Sequence, residues 1–412
     1  MYKQVEVPAD QAILRSLVRT LVFRPELATQ IKVLRLLSGG TVLEQERTQP
    51  VPLSGETQEV AARIREAVRD AHLPDDSLPS EASTERWLAR LNNSNSFEDQ
   101  IDGYAALLLS LATGVKELEL RLPLNLYSSV NGIAEAVLLR QSVCRQKFNN
   151  LESIKLDITS RNWPYAMTDI AWLLLPQLRR IQKSDISLPG RHPPSQELNR
   201  VPEIGAQRMH PSMKSVNLQV SKDIPKIAEL LCRFRYAKDL SLKLDGEFSS
   251  MSDYRSVCAA IRGMRKTLRH LNLDLFPVCK GHNFPVHPPG FGSLQSFSCL
   301  ETLNINCGTL FGMADGLIQD FEMLPNLLPP QLAKLTLNEY FYYVGEMDTQ
   351  LKALLRSVKA GLFSNLVQIE LYDADDPFDE EAHTRLQSQH DKMVALKSEF
   401  EQTKAKLIVE LW

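Results

Sequence analysis

The sequence predicts an α/β fold in which short parallel strands alternate with helices along the chain. Three observations predict it: a recurring strand pattern, a near-regular spacing between its copies, and amphipathic segments in the intervals. The pattern is L-x-x-L-x-L, as in LETLNIN (300–306), where Leu300, Leu303 and Ile305 alternate with small or polar residues. Because side chains alternate across a strand, this pattern places the apolar residues on one face.

The pattern recurs from one end of the chain to the other. Successive central apolar residues from Leu118 to Ile369 are 24 to 36 residues apart, a regularity that indicates an array. The copies are IKVLRL (31–36), VKELEL (115–120), LESIKL (151–156), a degenerate LRRIQKSDISL (178–188), MKSVNL (213–218), AKDLSL (237–242), LRHLNL (268–273), LETLNI (300–305), LAKLTL (332–337), LVQIEL (366–371) and a closing KLIVEL (406–411).

Helical periodicity fills several intervals. In SSMSDYRSVCAAIRGM (249–264), Tyr254, Val257, Cys258 and Ile261 are spaced i, i+3, i+4, i+7, which predicts one apolar helix face. The segment SFEDQIDGYAALLLSLATG is also predicted to be helical and to end at Gly114.

EMDTQLKALLRSVKAG (346–361) repeats this spacing. Its apolar face is predicted to comprise Leu351, Leu354, Leu355 and Val358. Asp348 is the predicted N-cap, and Gly361 the C-terminal stop.

A unit made of one strand and one helix cannot bury both of its apolar faces alone. Stacking the units buries both faces and pairs the strands into a parallel sheet. The sequence therefore predicts an irregular leucine-rich-repeat solenoid, with a curved sheet inside and helices outside. Its units are longer than the usual 20–29 residues, and the asparagine position of the repeat is not kept.

Three regions are predicted along the chain. Residues 1–96 form an N-terminal helical cap with the first repeat strand and a loop insertion, and its TQEVAARIREAVRDA segment is helical with Val60, Ile64 and Val68 on one face. Residues 97–380 form the solenoid. Residues 381–412 supply a polar helix and a capping strand.

Composition limits the classes of function. The net charge of -3 and the scattered Lys and Arg argue against a nucleic-acid binder. No apolar run is long enough to span a membrane, and no signal peptide is recognised. Six cysteines in 412 residues predict reduced, mostly buried thiols. We expect an intracellular protein, cytoplasmic or nuclear, without a cofactor.

LRSLVRTLVFRPELATQIKVLRL (14–36), RWLARLNN (86–93) and ALLLSLATGVKELEL (106–120), together with the repeats, resemble the leucine-rich-repeat region of fungal F-box-like proteins. The resemblance covers the repeat region, and no F-box motif is found in this sequence. It implies a receptor in which the repeats hold a protein target and an F-box docks to a cullin-type ubiquitin ligase. A stand-alone repeat scaffold or inhibitor is the alternative.

Catalytic motifs such as G-x-S-x-G and H-E-x-x-H are absent, so no enzyme is predicted. Cys279, His282 and His287 have a spacing that permits a zinc site, but a loop between repeats is the favoured interpretation. The acidic stretch YDADDPFDEE (372–381) is interpreted as a solvated loop rather than a calcium site.

The concave face of the sheet is the predicted protein-binding surface, because the residues between the apolar positions of each strand point toward it. Two tyrosines in NEYFYYVG (338–345), which follows a strand, are added as interface candidates. The predicted partner-binding residues are Lys155, Asp157, Asn217, Gln219, Lys243, His270, Asn272, Asp274, Asn304, Asn306, Asn338, Tyr340 and Tyr342.

Overall fold

A computed structural model describes residues 3–8, 10–37, 57–71, 80–92, 97–121, 148–157, 178–187, 211–222, 224–244, 251–275, 290–312, 323–338, 344–373 and 391–411. The chain forms two compact units, Met1–Ser212 and Met213–Trp412. The three regions predicted from the sequence, 1–96, 97–380 and 381–412, remain predictions. Both units are α/β, and the twelve described strands are all parallel.

The described residues of the first unit form five strands whose spatial order follows the chain. They are β1 (Gln4–Pro8), β2 (Val33–Leu37), β3 (Glu117–Arg121), β4 (Ser153–Asp157) and β5 (Arg180–Ser187). Its described helices are α1 (Gln11–Phe23), α2 (Pro25–Gln30), α3 (Gln58–Ala71), α4 (Ser80–Asn92) and α5 (Phe97–Leu111). Helix α5 packs on α1, α3 and α4, and its residues 101–110 are all buried.

In the second unit, the part that the structure describes forms seven strands, again in chain order. They are β6 (Ser215–Lys222), β7 (Asp239–Leu244), β8 (His270–Asp274), β9 (Thr302–Asn306), β10 (Lys334–Asn338), β11 (Gln368–Asp373) and β12 (Lys406–Leu411). Its described helices are α6 (Ile224–Arg233), α7 (Met251–Gly263), α8 (Cys307–Phe311), α9 (Leu324–Leu327) and α10 (Val344–Lys359); residues 391–400 are also helical.

The repeat pattern sets the register within each sheet. In the second unit the central apolar residues pair from strand to strand and are no more than 2% exposed. This row is Val216, Leu240, Leu271, Leu303, Leu335, Ile369 and Leu407. Each layer of the core therefore repeats the one before it, and every copy of the pattern found in the sequence is a strand.

Several predictions about helices are confirmed. Val60, Ile64 and Val68 are buried on α3, and Tyr254 and Ile261 are buried on α7. Gly361 follows the end of α10 with a φ of 83°, a left-handed conformation that glycine adopts without strain.

Two predictions about helix ends need correction. Asp348 is not an N-cap, because α10 begins at Val344; its carboxylate instead pairs with Lys352, 2.7 Å away, one turn along the helix. Helix α5 ends at Leu111, before Gly114. Gly114 is needed for close packing, because a Cβ there would lie 2.1 Å from the carbonyl oxygen of Thr29.

No disulfide bond is found among the four described cysteines. Cys258 and Cys307 are buried, Cys299 is half-buried and Cys232 is exposed. Burial raises the pKa of Cys258 to about 11, so this thiol stays protonated at neutral pH.

Candidate functional site

We call the strand face that carries the alternating polar residues the open face of each unit. In the second unit it forms a groove of about 460 Å³ that runs across β6 to β11. Five of the predicted partner-binding residues line it: Asn217, His270, Asn272, Asn304 and Asn338. The structure thus brings together residues that lie 121 positions apart in the sequence.

Short polar side chains form the floor of the groove. The middle row, between the two apolar positions of each strand, is Asn217, Ser241, Asn272, Asn304, Thr336 and Glu370. Asn272 Nδ2 donates a hydrogen bond to Ser241 Oγ at 3.1 Å, and Asn338 Nδ2 donates to Asn304 Oδ1 at 2.6 Å. Because amides and hydroxyls both donate and accept, this floor can bind either kind of polar group.

His270 and Asp239 provide polar groups at the N-terminal ends of their strands. His270 Nδ1 lies 2.7 Å from Thr302 Oγ1, and its Nε2 lies 3.7 Å from Asp239 Oδ1. Both side chains are about half exposed. They can therefore contact a bound molecule as well as each other.

Glu370 is the buried acid of the groove. Its carboxylate accepts hydrogen bonds from Lys334 Nζ at 2.7 Å, Thr336 Oγ1 at 2.8 Å and Gln368 Nε2 at 2.5 Å. Burial alone raises its pKa, but the hydrogen bonds from Lys334 and Thr336 outweigh burial and hold the pKa below its ordinary value. Glu370 therefore stays ionised at neutral pH and fixes the position of Lys334.

Tyr372 is an aromatic residue at the β11 end of the groove. Its pKa is raised, first by burial and then by the negative charges of Glu370 and Glu410. The hydroxyl is thus neutral at physiological pH and can donate a hydrogen bond.

Gln219, Lys243 and Asp274 lie at the C-terminal ends of their strands and do not line the groove. Gln219 is half-buried, and Lys243 forms an ion pair of 3.7 Å with Asp274.

Lys155 lies on β4 of the first unit and is not part of the groove. It takes part in a ladder of charges on the open face there, and its Nζ is 3.1 Å from Glu119 Oε1.

Asn306 is placed differently from its prediction. It was expected on the open face, but it is 2% exposed and caps α8, accepting a hydrogen bond from the backbone N–H of Gly308 at 2.8 Å. The chain turns directly from β9 into α8, so the strand alternation no longer applies at this residue.

Other predicted features lie outside the described residues. These are the side chain of Asp157, Tyr340, Tyr342, the loop with Cys279, His282 and His287, and most of the acidic stretch that follows Tyr372. Among the residues that the structure does describe, no group of three or more His, Cys, Asp or Glu side chains could hold a metal ion.

Glu370 and Tyr372 are groove residues that the partner-binding prediction missed. The sequence signal was available, since Glu370 occupies the same position of LVQIEL that Asn304 occupies in LETLNI. Their place in the groove depends on burial and on contacts with β10, and the sequence of a single repeat does not show either.

No protein-family model matches this chain, and no curated protein matches it significantly. In the described part of the chain, every helix is too short or too polar to cross a membrane.

Proposed function

We propose that this protein is a non-catalytic interaction module, a leucine-rich-repeat solenoid whose second unit binds an extended segment of a partner protein in the groove. The observation that carries the proposal is the groove itself, with its floor of amide and hydroxyl side chains. A groove of about 460 Å³ lies within the usual range of roughly 300–1,000 Å³ for ligand sites.

The dimensions of the groove favour an extended chain. Six neighbouring strands at about 4.8 Å spacing make a length of roughly 24 Å. About seven residues of extended polypeptide, at roughly 3.3 Å each, have the same length. A peptide backbone presents one donor and one acceptor per residue, which matches the mixed hydrogen-bonding capacity of Asn217, Asn272 and Asn304.

The test uses two matched substitutions. Ser241→Arg places a long side chain on the groove floor, and Gln182→Arg makes the same kind of change in the middle row of the first unit, where Gln182 is exposed. Wild-type protein and both variants are tagged, purified gently from cells and compared by mass spectrometry. A stoichiometric partner captured by wild type and Gln182→Arg but lost with Ser241→Arg supports the proposal. Equal capture by all three proteins contradicts it.

The resemblance to F-box-like proteins favours a narrower candidate, a substrate receptor of a cullin-type ubiquitin ligase. The same purification tests it. Ligase subunits that remain with the Ser241→Arg variant, while the target is lost, would support separate docking and target sites. A single partner without ligase subunits would make the protein a plain repeat scaffold or inhibitor.

A further inference from the structure

Basic residues occupy the same place in three consecutive repeats of the second unit. Lys214, Lys238 and Arg269 each lie one residue before β6, β7 and β8. The backbone fixes them in a row: Lys238 N–H donates to the Lys214 carbonyl at 2.8 Å, and Arg269 N–H donates to the Lys238 carbonyl at 2.7 Å. At the usual strand spacing, the row spans about 10 Å.

The turns that lead into β7 and β8 add a second tier of positive charge. Arg235 follows α6, and Arg265 and Lys266 follow α7; all three are exposed. Thr267 Oγ1 donates to the carbonyl oxygen of Arg235 at 3.0 Å, which joins the two turns. Tyr236 is 41% exposed, and the Arg235 guanidinium lies 5.3 Å from the centre of its ring. We name the six cations and Tyr236 the basic edge.

The cations of the basic edge differ in their pairing with described residues. Arg269 pairs with Glu301 at 3.2 Å, whereas Lys214, Lys238 and Lys266 are exposed and form no ion pair with any described residue. Asp239, the nearest acid along the chain from Lys238, lies on the groove side beside His270.

The corresponding row of the first unit also holds three consecutive lysines, Lys3, Lys32 and Lys116, one residue before β1, β2 and β3. There Glu152 stands between Lys116 and Arg179 and pairs with both, at 3.2 and 3.6 Å. The turns that lead into β3 and β4, residues 112–115 and 148–151, contain no Lys or Arg, so the second tier of cations is what distinguishes the edge before β6, β7 and β8.

We propose that the basic edge binds an acidic segment of a partner polypeptide. The proposal rests on the proposed function in taking a protein as the occupant, because the edge directly precedes the groove residues Ser215, Asp239 and His270 in sequence. Unpaired lysines favour a carboxylate-rich partner by charge complementarity. A row of about 10 Å with one exposed aromatic ring is small for a nucleic-acid surface, which commonly buries 600 Å² or more even for single modules.

The probe is a fluorescein-labelled decaglutamate peptide, titrated with the full chain by fluorescence anisotropy. The test variant is Lys214→Glu/Lys238→Glu/Lys266→Glu. The control, Lys392→Glu/Lys397→Glu/Lys404→Glu, makes the same charge change at exposed lysines elsewhere in the same unit. We expect the test variant to lose about tenfold or more in affinity and the control to change about twofold or less.

The salt dependence of binding and a nucleic-acid probe make the test more specific. Raising salt from roughly 50 to 300 mM should weaken the wild-type complex, since surface charge pairs are screened. A second variant, Lys214→Gln/Lys238→Gln/Lys266→Gln, removes the three charges without reversing them. Its circular dichroism shows whether it is folded. An equal loss of affinity for decaglutamate in the test and control variants would overturn the proposal. It would also be overturned if oligodeoxythymidylate bound more tightly than decaglutamate and its binding depended on Lys214, Lys238 and Lys266 in the same way. The Ser241→Arg variant should keep its affinity for decaglutamate, so failure of the groove and failure of the basic edge are distinguishable.

Discussion

The two units share one backbone arrangement but carry different open faces. In the first unit the middle row alternates long charged side chains, Glu6, Arg35, Glu119 and Lys155, joined by ion pairs of 3.3, 3.2 and 3.1 Å. In the second unit the same row holds mostly Asn, Ser and Thr, and a groove of about 460 Å³ lies above it.

The two rows thus differ in side-chain length although both lie on parallel strands paired in the same way. The long side chains of the first unit bind one another. Glu119 is the centre of that network: burial alone would raise its pKa, but the hydrogen bonds and charges of Lys155 and Arg121 outweigh burial and lower it. The short amide and hydroxyl side chains of the second unit line the groove instead.

The largest expected effect is on the apolar row that both units share. Leu303→Ala and Leu118→Ala should each lower the free energy of unfolding by about 2–5 kcal/mol, because each removes a buried side chain and leaves a cavity between stacked repeats. Denaturant unfolding measures both. Leu362, which is 62% exposed, supplies the control, and Leu362→Ala should change stability by less than about 0.5 kcal/mol. A loss below about 1 kcal/mol at Leu303 would contradict its core position.

The ion ladder of the first unit should contribute less than the core. Glu119 is 13% exposed and pairs with Arg35, Arg121 and Lys155, so Glu119→Gln should cost about 2 kcal/mol. Glu117→Gln, on the same strand but exposed, is the control and should cost less than about 0.5 kcal/mol. Equal effects of the two substitutions in thermal unfolding would show that the ladder does not stabilise the first unit.

Glu370 tests the charged network at the β10–β11 end of the groove. Glu370→Gln should cost about 1–2 kcal/mol at pH 7, since the carboxylate accepts three hydrogen bonds. Its folded pKa is lowered, so its contribution is present above the unfolded pKa of about 4.3 and is lost as pH falls through the folded pKa. The stability difference between wild type and variant should therefore shrink below about pH 4. A difference that grows on acidification would contradict the lowered pKa.

The smallest effect is expected on the groove floor. Asn304 is half-buried and accepts one hydrogen bond from Asn338, so Asn304→Ala should cost about 1 kcal/mol or less. Calorimetric unfolding of Asn304→Ala and Leu303→Ala compares the loss of stability at two neighbouring positions of one strand. A loss at Asn304 as large as that at Leu303 would mean that the strand faces have been assigned the wrong way round.

Most of the strands could be predicted from the sequence because each copy of L-x-x-L-x-L fills one layer of the core. Strand β1 was missed, since QVEVP offers only Val5 and Val7 as an alternating apolar pair and lacks the leading leucine. The start of α10 was placed too late because Met347, which is 1% exposed, extends the apolar face one turn before Leu351.

The site was harder to predict than the fold. Strand alternation correctly placed Asn217, Asn272 and Asn304 on one face. It failed at Asn306, where a helix begins at the next residue and the side chain turns inward as a cap. The groove itself could not be predicted from one repeat, because its volume depends on the side chains of six neighbouring strands together.

The central claim is that the groove of the second unit binds an extended peptide. The most direct measurement is a calorimetric titration of a peptide selected on the wild-type protein from a random display library, repeated with Ser241→Arg and Gln182→Arg. We expect one peptide to bind per chain, its affinity to fall about tenfold or more with Ser241→Arg, and its affinity to stay unchanged with Gln182→Arg. Failure to select any peptide, or equal affinity for all three proteins, would contradict it.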